Sequence, residues 1–394
     1  MNNRHMLFID FDGTITASDV GYELFKKFTS GATEADVQIY RAGKLNSLEC
    51  LTRECATWNQ YAPNSQAVYD HLDNQRLSSG FHEFLGFLEE NKLKPIILSE
   101  GFDFYIDRVL AFHHLNHLER ITNKAVFENN SLRPSFPYFE LGCRECSNCK
   151  EYHIDRLRPA QMSAIYIGDG HSDLHASRKA DIVFAKSHLK DLLVLEHRYF
   201  IEYHDFFDII DSLTIILDRG IFALGKNIDL CFVADRHHEY SQRLWESGDV
   251  MRYVGYPDGL KWSQNRYDDY WNKQAQNENA IYLAIENKDG HFMGEAMISF
   301  PDAEGLCQHD VKLLPEFQHR GLGQETWKII LDRTRERWPK ARVLVTPAIE
   351  NVRAIDMYLK LGFEFNSEPM TWIPSPEEIG AVPVIYRRMI KILK

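Results

Sequence analysis

Two aspartates, Asp10 and Asp12, stand one residue apart at the end of the apolar run 7–9, and Gly13 follows them. A buried parallel strand that ends in this way delivers two carboxylates into a crevice, where the glycine lets the chain turn. Carboxylates in such a position can serve as a nucleophile, as a general acid and base, or as ligands of a hard divalent cation. The pattern predicts an active site at the end of the first strand.

Two later apolar runs also end in polar residues. The run 95–98 ends in Ser99, and the run 163–168 ends in Asp169 and Asp173. Helical spacing of apolar residues separates the runs, and strands that alternate with helices predict a doubly wound, Rossmann-like parallel sheet. Ligands bind outside the carboxyl ends of the strands in such sheets. These polar side chains are therefore expected to meet at one edge.

The ordered set resembles the four motifs of the haloacid dehalogenase superfamily of phosphatases over about residues 5 to 215. The motifs are Asp10-x-Asp12-Gly-Thr, Ser99, Lys150 and Gly168-Asp169-Gly170-x-x-Asp173. The first motif alone could be a turn after a strand, because Asp and Gly favour turns. Its three partners in order favour the catalytic interpretation. Lys150 is assigned to the third motif by its similarity to the branch that contains phosphoserine phosphatase and the methionine-salvage phosphatase, where a cysteine-rich run ends in this lysine.

The resemblance implies Mg²⁺-dependent hydrolysis of a small phosphorylated metabolite through an aspartyl-phosphate. It implies that Asp10 is the nucleophile, and that Asp12 protonates the leaving alkoxide and then activates water. The residues implied to bind the phosphate are Thr14, Ser99, Gly101 and Lys150. The residues implied to bind the metal are Asp10, Asp12, Asp169 and Asp173. Phosphoryl transfer without hydrolysis is disfavoured, because Asp12 is present.

The helical stretch at about residues 18–78 is predicted to form a cap that closes over the site and favours a small substrate. Asp19 stands at the entrance of this cap. In the related phosphatases an acidic residue there contacts the substrate, which implies a role for Asp19 in specificity. The same residue could instead cap the following helix. Both interpretations stand.

Cys143, Cys146 and Cys149 are spaced as Cys-x-x-Cys-x-x-Cys, and His153 follows them. Three sulfurs and one imidazole could bind zinc. The usual second pair of ligands is missing, so free thiols in a loop near Lys150 are the favoured interpretation.

The rhythm of strands and helices breaks near residue 220, and a new apolar run begins at residue 228. The runs 281–286 and 291–300 flank an Asp-Gly turn and predict a β-hairpin. We therefore predict two domains, residues 1–219 and residues 220–394, of which the second has a mixed α/β fold.

A strand, a glycine-rich turn and a helix are predicted around Gln318-x-x-Gly321-x-Gly323. Successive backbone N–H groups at a helix N-terminus can hold a pyrophosphate. The turn resembles the coenzyme A loop of the Gcn5-related N-acetyltransferases (GNAT). The segment Asn351-x-x-Ala-x-x-x-Tyr358-x-x-x-Gly-Phe matches a second signature of that family. The run 384–391 is expected to supply a single closing strand. This resemblance covers about residues 228 to 394.

The second resemblance implies acetyl transfer from acetyl-CoA to a small amine. The residues implied to bind the cofactor are Leu314, Gln318, His319, Arg320, Gly321, Leu322, Gly323 and Asn351. Tyr358 would protonate the departing thiolate, and the alternative is a helix aromatic that faces the sheet. Glu295, Asp310 and Glu350 are candidates for the general base, and a water chain could replace them.

Composition narrows the classes of function. The net charge of -12 argues against a nucleic-acid groove. No apolar run approaches the roughly 18 residues of a membrane span, and the N-terminal apolar run is expected to be a strand and not a signal peptide. Seven cysteines, an odd number, fit reduced thiols. These observations predict a cytoplasmic protein.

The two resemblances together predict a bifunctional enzyme whose reactions are consecutive steps on one small metabolite. The alternative is a phosphatase that a non-catalytic, acyl-CoA-sensing GNAT-like domain regulates.

Overall fold

The computed structural model describes residues 4–372 and 380–393. The chain divides into two compact units, Met1–Ile215 and Ile216–Lys394. The outer ends of the two predicted domains, residues 1 and 394, lie outside the described residues. Within the described ranges, no helix has both the length and the apolar character that a membrane crossing requires.

The first unit is built on a mainly parallel sheet. Over residues 4–215, seven strands lie in the order β4-β3-β2-β1-β5-β6-β7, and only the β3–β4 pair is antiparallel. Successive strands are added first on one side of β1 and then on the other, which confirms the predicted doubly wound sheet. The strands are β1 (His5–Ile9), β2 (Pro95–Phe102), β3 (Glu119–Glu128), β4 (Ser131–Ser135), β5 (Ser163–Gly168), β6 (Ile182–Ala185) and β7 (Ile201–Glu202).

Five α-helices lie between β1 and β2, and the first four of them form an insert, which we call the cap (residues 20–72). An Asn46–Glu49 capping box begins its longest helix, and Trp58 of that helix packs edge-on against Phe25 at 5.3 Å between ring centroids. The helices that begin in the first unit are α1 (Val20–Phe28), α2 (Glu34–Arg41), α3 (Ser47–Tyr61), α4 (Ser65–Leu72), α5 (Phe81–Glu90), α6 (Asp103–Phe112), α7 (Lys150–Leu157), α8 (Leu174–Lys179), α9 (Ser187–Leu195) and α10 (Phe206–Arg219).

The second unit contains a mixed, mainly antiparallel sheet, which agrees with the predicted fold. Among its described residues, eight strands follow the order β14-β17-β13-β12-β11-β10-β9-β8, and β12 and β13 are the parallel pair. The predicted hairpin is confirmed as β10 and β11. The strands are β8 (Ile221–Leu224), β9 (Ile228–Phe232), β10 (Ala280–Asn287), β11 (Phe292–Ser299), β12 (Leu306–Leu313), β13 (Arg342–Val345), β14 (Glu364–Phe365), β15 (Met370–Trp372), β16 (Val384–Tyr386) and β17 (Met389–Ile392).

The expected single closing strand at residues 384–391 is wrong, because the segment forms two strands. β16 pairs with β15 in a small separate sheet, whereas β17 pairs with β13 and β14.

The helices of this unit are α11 (His238–Glu246), α12 (Gly248–Met251), α13 (Gln264–Ala275), α14 (Leu322–Arg337) and α15 (Val352–Lys360). Trp327 of α14 is fully buried in the core beside the sheet.

Candidate functional site

The carboxyl ends of β1, β2 and β5 bring Asp10, Ser99 and Asp169 to one edge of the parallel sheet, as the sequence predicts. The backbone N–H of Asp10 donates to the carbonyl oxygen of Ile167 at 2.9 Å, which extends the pairing of β1 with β5 to the site itself. These three residues line a cavity of about 560 Å³ that the cap also lines. The volume is in the range of small-molecule sites.

Lys150 joins two of the predicted carboxylates. Its Nζ donates to Oδ1 of Asp10 and to Oδ1 of Asp173, each at 2.5 Å, and its side chain is 1% exposed. Burial alone would lower the pKa of Lys150, but the two carboxylates raise it, so the ammonium stays charged. The side chain lies at the start of α7 and is buried with its partners.

Asp10, Asp169 and Asp173 form the acidic group of the site, because their carboxylate oxygens lie within 4.8 Å of one another. Burial, followed by the charge of Asp173, raises the pKa of Asp10 well above its usual range, and the same causes raise the pKa of Asp169 to about 6. A divalent cation would relieve this excess of negative charge. Three clustered carboxylates also supply the hard oxygen ligands that Mg²⁺ prefers, so the residues fit such an ion.

Hydrogen bonds fix the orientation of this acidic group. Oδ2 of Asp173 accepts from the N–H groups of Asp169 and Gly170, each at 2.9 Å. Oδ1 of Asp173 also accepts from the hydroxyl of Tyr166 at 2.5 Å. The hydroxyl of Thr14 donates to Oδ1 of Asp169 at 2.9 Å. Thr14, predicted as a phosphate ligand, thus contacts a predicted metal ligand in this structure.

Asp12 is predicted to be a metal ligand, but it does not belong to the acidic group, whose carboxylate oxygens lie within 4.8 Å of one another. Oδ2 of Asp12 accepts from the hydroxyl of Tyr105 at 2.6 Å, and Oδ1 accepts from the N–H of Gly21 at 2.9 Å. Burial, followed by the charge of Asp19, raises the pKa of Asp12 to about 7. The Asp12 carboxyl is therefore held apart from the acidic group, although it lines the same cavity.

Gly101 allows the contact between Asp12 and Tyr105. A Cβ atom at position 101 would lie 1.8 Å from the hydroxyl oxygen of Tyr105 and 2.9 Å from Oδ2 of Asp12. The N–H of Gly101 donates to Oγ of Ser99 at 3.0 Å, and both residues line the cavity. Of the four predicted phosphate ligands, Ser99 and Gly101 therefore face the space where a substrate would lie.

Asp19 lines the cavity and also caps α1, because its carboxylate accepts from the N–H of Tyr22 at 2.8 Å. The helix-capping interpretation is confirmed. The same carboxyl faces the cavity from the cap side, so its predicted part in specificity stays a prediction. The apolar wall of the cavity includes Phe25, Val37 and Leu51. The polar wall of the cap includes Arg41 and Glu54.

Sequence reasoning missed three residues that hold the predicted ones. Tyr105 and Tyr166 donate to Asp12 and Asp173, but each appears in the sequence as one more apolar-face aromatic of a helix or a buried strand. Glu100 is half-buried next to Ser99, and it accepts from the hydroxyl of Ser47 in the cap and from that of Ser147. The sequence does contain one indication of the role of Glu100, because this carboxylate directly follows the serine of the second motif.

The zinc hypothesis is changed by the structure. The sulfurs of Cys143, Cys146 and Cys149 do lie within 4.8 Å of one another. The predicted fourth ligand, His153, is wrong, because its ring points elsewhere. Its Nε2 lies 2.7 Å from Oδ1 of Asn148, and its ring packs edge-on against Tyr138. The imidazole beside the sulfurs belongs to His175 of α8, whose Nδ1 lies 3.3 Å from Sγ of Cys146.

In the second unit, the glycine-rich turn sits between β12 and α14 as predicted. Gly321 precedes the first residue of α14 and has φ of +80°, a conformation that favours glycine. The side-chain amide of Gln318 donates to the carbonyl oxygen of Leu313 at 2.9 Å and ties the turn to the end of β12. Leu322 and Gly323 are the first residues of α14, so their N–H groups are among the unpaired donors of a helix N-terminus.

The end of β12 extends beyond its pairing with β13. β12 pairs with β13 through Leu306, Cys307 and Gln308, whereas β12 itself continues to Leu313, next to the turn. Leu314 is buried at the end of β12, and Arg353 at the start of α15 contacts the ring of His319 at 2.7 Å. Arg320 lies in the same turn, with its guanidinium 5.9 Å from the ring centroid of Phe317.

Asn351 immediately precedes α15, and Tyr358 lies within it. The side chain of Asn351 accepts from the N–H of Ala354 at 3.2 Å and caps the helix. The ring of Tyr358 packs edge-on against Trp327 at 5.2 Å between centroids and against Phe363 at 5.4 Å. Burial raises the pKa of Tyr358, so its hydroxyl keeps its proton. The structure thus gives Tyr358 the sheet-facing packing of the alternative interpretation, together with a protonated hydroxyl.

The three candidate general bases differ in environment. Glu295 accepts hydrogen bonds from the hydroxyl of Ser241 and from Nε1 of Trp245, the latter at 2.8 Å. Burial raises the pKa of Glu295. Asp310 has a half-exposed side chain paired with Lys312, and Glu350 is exposed. Glu295 thus has the buried environment and raised pKa that often accompany acid–base function.

Comparison with known families matches each half of the chain separately. The model for haloacid dehalogenase-like hydrolases matches residues 7–178, and the model for the acetyltransferase (GNAT) domain matches residues 232–364. A 2-hydroxy-3-keto-5-methylthiopentenyl-1-phosphate phosphatase of Brevibacillus brevis is 30% identical over 224 residues, which cover 54% of this chain and 98% of that relative. A phosphatase of the same name from Bacillus cereus is 28% identical over 218 residues, 54% of this chain and 97% of the relative.

Solved structures resemble the two halves more distantly. A HAD family hydrolase of Salmonella enterica serovar Typhi has a TM-score of 0.43 and 23% identity, and covers 55% of this chain and 71% of its own. The spermidine N-acetyltransferase of Vibrio cholerae, solved in complex with CoA and spermine, has a TM-score of 0.37 and 15% identity. That match covers 42% of this chain and 96% of the other.

Proposed function

Because the chain belongs to the haloacid dehalogenase-like hydrolases through its first half and carries a GNAT acetyltransferase domain in its second, we propose that the first site hydrolyses a small phosphomonoester. The observation that carries this proposal is the acidic group, two of whose carboxylates bind Lys150. Asp10 and Asp169 of this group line the same cavity as Asp12. We propose that the phosphatase spans residues 1–219 and contains the cap within the helical stretch predicted at about 18–78, and that the acetyltransferase spans residues 220–394.

The proposed reaction uses the two aspartates of the first motif in different roles. A carboxylate oxygen of Asp10 attacks phosphorus while the bond from phosphorus to the leaving oxygen breaks, and Asp12 gives its proton to that oxygen. The Asp12 carboxylate then takes a proton from the water that attacks the aspartyl-phosphate, and phosphate leaves as Asp10 is regenerated. The pKa of about 7 lets Asp12 carry the proton that this role requires, whereas Lys150 and a bound cation would favour the ionised form of Asp10 that attacks phosphorus.

Ser99, Gly101 and Lys150 are proposed to bind the phosphoryl oxygens, the first two from the cavity wall and Lys150 from behind Asp10. Thr14 is proposed to support the acidic group through its hydrogen bond to Asp169. We propose that Asp10, Asp169 and Asp173 hold Mg²⁺, which would supply the positive charge that lets an anionic nucleophile approach a phosphate dianion.

The substrate is proposed to be a small phosphomonoester with an apolar portion. A cavity of about 560 Å³ suits a small metabolite, and its cap wall combines Phe25, Val37 and Leu51 with the charged groups of Asp19, Arg41 and Glu54. The Brevibacillus relative is named for a substrate with a methylthio-substituted five-carbon chain, which has this combination of apolar tail and polar head.

We propose that the second site transfers an acetyl group from acetyl-CoA to a small amine. The N-terminus of α14 and the turn from Gln318 to Gly323 would bind the pyrophosphate through backbone N–H groups. Leu314, His319, Arg320 and Asn351 would flank the cofactor. Tyr358 would return a proton to the thiolate of coenzyme A, and Glu295 would take the proton from the amine.

The two reactions are proposed to act in sequence on one metabolite, a proposal motivated by the covalent joining of the two domains. The alternative is a GNAT-type domain that binds acyl-CoA without turnover and regulates the phosphatase. An assay of thiol release with the full chain distinguishes the two functions. An acetyltransferase releases free thiol from acetyl-CoA when its acceptor is present, whereas a sensor binds acetyl-CoA and releases none.

A screen on the full chain tests the proposal. Phosphate release is measured from a panel of phosphomonoesters with Mg²⁺, and each dephosphorylated product is then offered with acetyl-CoA while thiol release is followed. The expected result is one phosphate ester that is hydrolysed, and a product or relative of it that is acetylated. Hydrolysis that is equally fast without divalent metal would contradict the phosphatase site. Acetylation confined to amines unrelated to any product would contradict the coupling.

A further inference from the structure

Three cysteine sulfurs converge in the segment 143–149, which we call the cysteine loop. Cys143, Cys146 and Cys149 are free thiols whose Sγ atoms lie within 4.8 Å of one another. Cys146 and Cys149 are buried, and Cys143 is exposed. The N–H of Cys146 also donates to Sγ of Cys143, at 3.4 Å.

A histidine from a different element approaches two of these three sulfurs. Nδ1 of His175, in α8, lies 3.3 Å from Sγ of Cys146 and 3.7 Å from Sγ of Cys143. In a tetrahedron with bonds of about 2.3 Å from zinc to sulfur and about 2.0 Å to nitrogen, the distance from sulfur to nitrogen is about 3.5 Å. The two observed distances bracket that value. His175 does not lie within 4.8 Å of all three sulfurs, so Cys149 and His175 must move closer together when the four residues bind one ion.

We propose that Cys143, Cys146, Cys149 and His175 bind one structural zinc ion. Three thiolates and one imidazole form a closed tetrahedral set, which is typical of structural zinc, whereas Mg²⁺ and Ca²⁺ take oxygen ligands. This centre is separate from the acidic group of the phosphatase, whose donors are carboxylates. It takes all its protein ligands from the first unit and leaves no position for substrate.

The position of the ion would link two parts of the phosphatase site. Cys149 is the N-terminal cap of α7, and the next residue is Lys150. His175 follows Asp173, the second partner of Lys150, by two residues. An ion between these ligands would hold the two segments whose side chains meet in the 2.5 Å contact between Lys150 and Asp173.

The cysteine loop also supports the second motif. The side-chain amide of Asn148 donates to the carbonyl oxygens of Ser99 and Ile121, at 2.8 and 3.0 Å. Ser147 donates to Glu100, which follows Ser99. A loop fixed by metal would therefore place Ser99 as well as Lys150, so loss of zinc is expected to lower both the stability of the first unit and its phosphatase turnover.

Metal analysis of the full chain tests the site directly. Reduced protein, purified without chelators, is expected to contain about one zinc per chain. Cys143→Ser and His175→Ala are expected to lose it, and the exposed position of Cys143 makes that change compatible with folding. His153→Gln and Cys307→Ser are the matched controls, and both are expected to keep the zinc. Their circular dichroism and that of the ligand variants should match the wild type.

A second readout does not depend on phosphatase activity. Removal of zinc by a chelator is expected to lower the melting temperature of the chain, and added zinc, but not added Mg²⁺, should restore it. Co²⁺ in the emptied site should give the strong visible absorption of tetrahedral sulfur ligation, which His175→Ala should alter. Reduced wild-type protein that binds neither Zn²⁺ nor Co²⁺ would overturn the proposal. Zinc that is lost with His153→Gln but kept with His175→Ala would also overturn it.

Discussion

The two candidate sites hold their reacting groups in different ways. In the phosphatase site, charged side chains from several elements meet in a buried network, with Lys150 between Asp10 and Asp173. In the transferase site, the binding groups are backbone donors at the start of α14, and Tyr358 is held by contacts with aromatic rings. A buried charge is costly without its partner, whereas a backbone donor is present whatever the side chain. Substitutions should therefore couple activity to stability at the first site more than at the second.

Asp10→Asn gives the largest expected effect on activity. The amide has no nucleophilic oxygen anion, so phosphatase turnover should fall by at least about 10⁴-fold, the scale for removal of a covalent nucleophile. Steady-state phosphate release on the best substrate of the screen measures this. Acetyl transfer by the same variant is the internal control and should be unchanged. Turnover within about tenfold of the wild type would contradict the role of Asp10 as nucleophile.

Lys150→Met tests the coupling of charge to stability. Removing the ammonium leaves Asp10 and Asp173 as unpaired buried carboxylates, and the loss of one partner of a buried ion pair costs about 3–5 kcal/mol. Hydrogen exchange of the buried amides in β1 and β5 measures the free energy of unfolding of the first unit. Lys190→Met, which removes an exposed ion pair with Glu202, is the matched control and should cost less than about 1 kcal/mol. Equal effects of the two changes would remove the contrast between the sites.

The sequence allowed much of the phosphatase site to be predicted, because its chemistry lies in side chains at the ends of buried strands. The convergence of Asp10, Ser99 and Asp169 follows from parallel strands, whose carboxyl ends share an edge. The hydrogen-bond donors Tyr105 and Tyr166 could not be recognised. Each satisfies the apolar pattern of its own element, and only the tertiary fold shows which carboxylate its hydroxyl reaches.

Long-range partners explain the other differences. His153 is close to the cysteines in sequence, but His175 is close to them in space, because α8 returns beside the cysteine loop. The β3–β4 hairpin is not among the elements predicted from the sequence, although its connection Asn129-Asn130 has positive φ at both residues, and asparagine is one of the residues that favours such turns. The strand expected at 384–391 splits because each half pairs with a different sheet, and no local pattern encodes that choice.

Tyr358→Phe sharpens the comparison from the transferase side. The ring contacts with Trp327 and Phe363 are kept and the hydroxyl alone is lost, so stability should change little. If the hydroxyl protonates the departing thiolate, the rate of acetyl transfer should fall by about a thousandfold, within the range for general acid catalysis. The dissociation constant of acetyl-CoA, measured by calorimetry, should stay the same. A rate equal to that of the wild type would leave Tyr358 with the packing role alone.

Glu295→Gln is expected to have the smallest of these effects, about a hundredfold in kcat/KM for the amine, because a water chain can take over part of the proton transfer. Burial raises the pKa of Glu295, so the base form is lost as pH falls through that raised value. The wild-type rate should therefore fall on the acid side at a higher pH than an exposed glutamate would give, and Glu295→Gln should lack that acid limb. Asp310→Asn, on the neighbouring strand with a half-exposed carboxylate, is the matched control and should keep both the rate and the limb. If the acid limb survives in Glu295→Gln and disappears in Asp310→Asn, the base of the transferase is the exposed carboxylate, and burial does not mark the reacting group at the second site as it does at the first.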